Sequence, residues 1–205
     1  MLDVNYRGST GYGDDFVRDM VGGYFTQSHL DVMAGVDHLI KLGIADGERM
    51  VKMGWSAGGH MTNKIITYTD RFKAASSGAG AVNWISMYGQ SDTRTYRTPW
   101  FGGTPWQEDA PIDVYWGHSP LKDVWKVKTP TIILVGEKDV RVPLPQSLEL
   151  YRALKSNGVA THLYVAPREP HGWRELRHQL FKMNIELEWF EKHAMGREYT
   201  WEKAP

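Results

Sequence analysis

The spacing of apolar residues changes several times along the chain, and each change marks an element. Leu30, Met33, Val36, Leu39 and Ile40 recur at helical spacing. Ser28, with Asp31 three residues on, resembles a capped helix start, and Gly43 lies near the end. A short apolar run at 50–53 meets Gly54-Trp55-Ser56-Ala57-Gly58, and Met61, Ile65, Ile66 and Tyr68 then continue a helix to about Asp70. Residues 72–78 read as a buried strand of small side chains, and 131–136 and 161–165 as two further strands. Residues 143–157 form an amphipathic pattern stopped by Gly158, and 173–193 a closing helix. At the start, residues 2–6 read as a short strand leading into the glycine-rich turn 7–13, followed by a polar, irregular stretch. Strands alternating with helices imply parallel βαβ units: an α/β chain with a mostly parallel sheet and helices on both faces.

The periodicity is lost between 83 and 118. Trp84, Met87, Tyr88, Tyr96, Trp100, Phe101, Trp106, Tyr115 and Trp116 crowd that segment. So many large rings argue against disorder, and long excursions in compact domains are commonly functional. Most of these rings are expected to pack on one another. Trp84, Met87 and Tyr88, which follow the strand after the Ser56 helix, are the candidates for a substrate-pocket wall. Ser119-Pro120 resembles an N-cap with proline in the first turn.

Composition narrows the classes. The chain has 205 residues, 24 basic and 24 acidic, with no block of like charge, which argues against a nucleic-acid or membrane-surface partner. The length suits one domain, 1–205, with 195–205 a loose tail. The sequence contains no cysteine, so disulfides and thiolate metal sites are excluded. No paired histidine–carboxylate spacing suggests a metal, and no cofactor is expected. The first residues lack a signal-peptide core and no stretch is apolar enough to span a bilayer; a soluble, cytoplasmic protein is expected.

Gly54-x-Ser56-x-Gly58 between a strand and a helix has the form of a nucleophile elbow, a strained turn that exposes a serine hydroxyl above the sheet. Gly54 and Gly58 are read as the positions where a side chain would crowd the turn. Ser56 would stand at a helix N-terminus, where free N–H groups favour negative charge. The bland alternative is a tight turn with a small residue. A serine needs a base, and the base an orienting acid. Asp139 and His171 both follow predicted strands, on the side where open α/β sheets bind ligands. Glu137 competes with Asp139, which is preferred because Val140-x-Val142-Pro143 anchors its loop. His162 and His178 compete with His171.

These residues carry a resemblance. Asn5-Tyr6-Arg7-Gly8-Ser9-x-Gly11-Tyr12-Gly13, Asp31-Val32 with Gly35-Val36, Gly54-Trp55-Ser56-x-Gly58-Gly59, Ser119-Pro120, Gly136-x-x-Asp139-x-x-Val142-Pro143 and His171-Gly172 resemble the catalytic domain of prolyl oligopeptidase family serine peptidases. The resemblance implies an α/β-hydrolase fold, with Ser56 as nucleophile, His171 as base, Asp139 orienting it and the Ala57 N–H as an oxyanion donor. The family's β-propeller and its His-Gly-Gly-Pro-like oxyanion strand have no counterpart here, so the sheet is expected to lack its N-terminal strands. The implied activity is hydrolysis of small esters or short peptides. The alternative is a weak or inactive hydrolase-like module serving in interactions. An unpaired first strand and an uncovered nucleophile strand would invite a second copy, so a homo-oligomer is expected, most simply a two-fold dimer.

Overall fold

The computed structural model describes residues 1–203. Four strands form one wholly parallel sheet: β1 (Val51–Trp55), β2 (Ala74–Gly78), β3 (Thr131–Gly136) and β4 (Thr161–Ala166), in the order β1-β2-β3-β4. All of β2 and β3 is buried, as a parallel strand covered on both faces requires. Their side chains alternate between two cores. Ala75 and Ile133 pack with Ile66 of α3 (Ala57–Tyr68) and with Leu150 and Leu154 of α7 (Leu144–Ser156). Ala74, Ile132 and Leu134 pack instead with Ile185 and Trp189 of α8 (Leu176–Phe190). Helices therefore cover both faces.

The small residues of β2 have a physical purpose. A Cβ on Gly59 of α3 would overlap the Gly78 carbonyl oxygen and lie 2.9 Å from the Gly80 Cα, so helix and strand meet backbone to backbone. On the other face, Ser76 donates to the buried Glu186 at 2.7 Å, and Lys182 donates to the second carboxylate oxygen at 2.6 Å.

Several local expectations are revised. Residues 2–6 form no strand: among the described residues no other segment supplies a ladder, and Leu2 and Val4 lie against Gly35 of α2 (Ser28–Lys41) instead. A short helix, α1 (Asp14–Arg18), interrupts the polar stretch that follows. Ser28 and Asp31 do not cap α2. Ser28 donates to the Arg7 carbonyl, and Asp31 accepts from the Arg7 backbone N–H and guanidinium at 2.7–2.9 Å. The pair fastens the helix to the N-terminal loop.

Residues 83–118 hold α4 (Trp84–Gln90), a 3₁₀ turn (Thr95–Arg97), α5 (Thr98–Phe101) and α6 (Ile112–His118). Asn83 caps α4, accepting from the Ile85 and Ser86 N–H groups. Ser119 precedes a 3₁₀ segment, Pro120–Lys126, without capping it. Its hydroxyl donates to the Tyr115 carbonyl and accepts from the Trp84 N–H, joining α6 to α4. The C-terminal stretch folds back on α8: Asn184 exchanges hydrogen bonds with the Glu202 backbone, and Trp201 donates to Glu188. Residues 204–205 of the expected tail lie outside the described residues. Among the described residues no helix is long and apolar enough to cross a membrane.

Candidate active site

Ser56 joins β1 to α3 at φ 57°, ψ −115°, a backbone region that non-glycine residues seldom occupy. The turn holds it there. Ser56 N–H donates to the Gly78 carbonyl on β2 at 2.8 Å, and the Ser56 carbonyl accepts from His60 N–H at 2.9 Å, opening the helix. A Cβ on Gly54 would overlap the Gly58 backbone, whereas one on Gly58 would meet nothing within 4 Å. The crowded positions are thus Gly54 and Gly59, not Gly54 and Gly58.

Asp139 lies in the loop after β3, its carboxylate fully buried. Oδ1 accepts from the backbone N–H groups of Arg141 and Val142, each at 2.9 Å. This leaves Oδ2 for His171 Nδ1 at 2.8 Å. Val142 anchors the loop in the core, while Val140 points to solvent. Glu137, the competing acid, is exposed and accepts from Arg168 N–H. His171 follows β4, and its Nε2 stands 2.8 Å from Ser56 Oγ. Its carbonyl accepts from the indole N–H of Trp55, the last residue of β1, at 2.7 Å. His162 meets Trp189 edge-on instead, and His178 bonds to Glu169. With Nδ1–H directed at a carboxylate, the Nε2 lone pair of His171 faces the serine hydroxyl. This arrangement can take a proton from the serine and stabilise the imidazolium that results. Ala57, first residue of α3, has no intrahelical acceptor for its N–H, and the helix dipole adds positive potential there.

Glu169, two residues before His171, is a member of the site that sequence reasoning missed. It is 1% exposed, yet accepts from Arg174 N–H at 2.7 Å, Glu175 N–H at 2.9 Å and His178 Nδ1 at 2.8 Å. Burial alone would raise its pKa, but these donors outweigh that and hold it below the usual carboxylate range. Its carbonyl accepts from Lys138 N–H at 2.9 Å, so the His171 loop is tied to the Asp139 loop. Its only sequence signal was its place in Arg-Glu-Pro-His. Glu169, Glu175 and His178 bring three donor atoms within 4.8 Å of one another. Those atoms are already engaged, since Glu175 is held by Arg168 and Arg177, and the cluster reads as a loop clamp rather than a metal centre.

Trp84, Met87 and Tyr88 are buried, at 4%, 0% and 5% exposure. Residues i, i+3 and i+4 share one helix face, and that face of α4 is turned into the aromatic cluster rather than left as an open wall. The Trp84 ring packs 4.8 Å from His60, one turn along α3 from Ser56, and 5.1 Å from Tyr24. His60 bonds through Nδ1 to the Ala81 carbonyl at 3.1 Å. Burial pushes its pKa down to about 3, so it is neutral and no rival base.

The prolyl oligopeptidase family model matches residues 1–197. The chain is 39% identical over 194 residues to the uncharacterized peptidase YuxL of Bacillus subtilis strain 168, covering 93% of this chain and 29% of the relative. It is 36% identical over 180 residues to the acylamino-acid-releasing enzyme of Arabidopsis thaliana, covering 83% of this chain and 23% of the relative. It thus spans less than a third of these proteins' length. Among solved structures, Pyrococcus horikoshii acylaminoacyl peptidase superposes with a TM-score of 0.85 at 30% identity, over 97% of this chain and 33% of that one. A puromycin hydrolase superposes at 0.87 with 26% identity, over 96% of this chain and 29% of that one. The parallel sheet and its helices match the acylaminoacyl peptidase catalytic domains of α/β-hydrolase fold. From its motifs, its fold and a family match that runs almost its whole length, the chain belongs to the prolyl oligopeptidase family.

Proposed function

We propose that this chain carries the catalytic centre of a serine hydrolase that cleaves esters or short peptides through an acyl-enzyme. The observation that supports the reading most is the hydrogen-bonded chain from Ser56 Oγ through His171 to Asp139, both links 2.8 Å long. Ser56 attacks the carbonyl carbon as His171 Nε2 takes the hydroxyl proton. Asp139 keeps the proton of Nδ1 in place and stabilises the imidazolium. The Ala57 N–H donates to the oxyanion of the tetrahedral intermediate. His171 then gives its proton to the leaving alcohol or amine, and water repeats the sequence to release the acid. Relatives named acylamino-acid-releasing enzymes favour N-acylated amino acids on the acyl side. Trp84, with Met87 and Tyr88 on the same face of α4, acts from behind, stiffening the Ser56 helix through its contact with His60.

The test compares wild type with Ser56→Ala on p-nitrophenyl acetate and on N-acetyl-alanine p-nitroanilide. Loss of the nucleophile is expected to lower kcat by about 10⁴–10⁶-fold, and a fluorophosphonate probe should label Ser56 alone. Equal rates in the two proteins, or labelling elsewhere, would return the chain to the reading of an interaction module.

A further inference from the structure

Most of the arginines that meet a carboxylate here do so at the surface, as Arg141 does with Asp92 and Arg197 with Glu191. Arg97 is different. It ends the 3₁₀ turn between α4 and α5, is 6% exposed, and makes no ion pair among the described residues. Its Nε is buried without an acceptor. Its Nη1 makes two long hydrogen bonds, 3.3 Å to Ser91 Oγ and 3.4 Å to the Thr93 carbonyl. A guanidinium keeps its charge and offers five donors, so most of this group's capacity is unused.

Its neighbours do not supply the missing charge. The rings of Trp84 and Tyr96 lie 5.5 and 4.8 Å from the guanidinium carbon and stabilise the cation in part. The Tyr24 phenol is within hydrogen-bonding reach of Arg97, but burial first, and the adjacent Tyr96 second, raise its pKa, so it stays protonated and brings no charge. Asp92 is engaged by Arg141. A buried charge left unpaired is strongly unfavourable, and an anion brought from outside would offset that.

The position points to which anion. The Trp84 ring beneath Arg97 also touches His60, one turn along α3 from Ser56. Ser91, which accepts from Arg97, donates to the Arg141 carbonyl two residues beyond Asp139. Arg97 is therefore tied both to the helix of the proposed nucleophile and to the loop of its acid. Tyr96, half of it exposed, is the nearer of the two rings to the guanidinium and carries the cluster out to solvent. We infer that Arg97 is a substrate-binding residue that receives a carboxylate, and that the substrate's acyl residue carries an acidic side chain. The inference rests on the hydrolase reading and narrows its substrate class.

Binding separates the two. In Ser56→Ala protein, which cannot turn substrate over, N-acetyl-glutamate amide and N-acetyl-glutamine amide are titrated by calorimetry. The glutamate ligand should bind at least tenfold more tightly. The preference should vanish when Arg97→Met is added and survive in part with Arg97→Lys. Equal binding of the two ligands, binding of neither, or an unchanged preference without the arginine overturns the inference. The comparison of ligands in the arginine-containing protein needs no core variant to fold. The hydrolase reading fails separately, if wild type binds the glutamate ligand but cleaves neither p-nitrophenyl ester of the two N-acetyl amino acids.

Discussion

Ser56 is held in a backbone conformation that costs on the order of 1–3 kcal/mol, and the surrounding hydrogen bonds make it persist. His171 has no such rigid element beneath it. It sits on a loop, and Glu169 supplies the stiffness through three accepted bonds to residues 174, 175 and 178. Glu169→Gln keeps the shape but loses the charge and turns one of the two acceptor oxygens into a donor. Hydrogen bonds to a charged group contribute about 1.5–3 kcal/mol, so a stability loss of that order is expected from urea unfolding. kcat should fall about 10–100-fold with KM little changed, because a misplaced base slows chemistry more than binding. Glu169→Asp, which retains the charge, should recover part of the rate. A variant with lowered stability and unchanged kcat would make Glu169 a structural residue only. Ser56, Asp139 and His171 were legible because an elbow motif and strand-end positions mark them. The choice of Asp139 over Glu137 rested on its loop, and the geometry that decides it is the pair of N–H groups occupying Oδ1. Glu169 and Arg97 were illegible because burial, which sequence shows poorly for charged residues, is what sets them apart.

Among the elements, the elbow helix makes the sharpest test. Gly58 and Gly59 are adjacent in α3, yet a Cβ would meet open space at the first and the backbone of residues 78 and 80 at the second. Gly58→Ala should therefore stabilise the fold by about 0.5–1 kcal/mol through helix propensity. Gly59→Ala should destabilise it by about 1–3 kcal/mol or more, since backbone cannot yield as a side chain does. Thermal unfolding of the two variants measures both signs, and matching signs would mean that α3 is not seated on β2 as described. The elements that sequence read well share a cause. β3 is a run of six buried residues, and α2 and α3 repeat their apolar face over at least three turns. The segment 83–118 hid its helices because each is only four to seven residues long, too short to display a period. Residues 2–6 have a strand's composition, but a strand exists only with a partner, and composition does not show where the partner lies.

For the whole molecule, the telling feature is that β1, the strand that delivers Ser56, is an edge of the four-stranded sheet among the described residues. Its inner side pairs with β2 at every residue. Its outer side presents backbone donors and acceptors beside Met53, which is 43% exposed. Lys52 folds back to donate to the Met53 carbonyl at 2.7 Å and to Thr62 at 3.2 Å, and so covers part of that edge. Burial of the ammonium lowers its pKa to about 8, so it stays largely charged at neutral pH, but it is turned onto Met53 and Thr62 rather than outward to guard the edge. An edge without an outward-pointing charge is a template for another strand. A net charge of zero adds little repulsion to oppose association. The 205-residue chain is therefore proposed to self-associate, two copies meeting across a two-fold axis with their β1 edges antiparallel. Light scattering at micromolar concentration should give twice the mass of one chain. Met53→Lys places a charge that stays in water on the edge and should return the chain to a monomer, with its fold intact by circular dichroism. A wild-type monomer under these conditions, or a dimer indifferent to Met53→Lys, would rule out this edge as the contact.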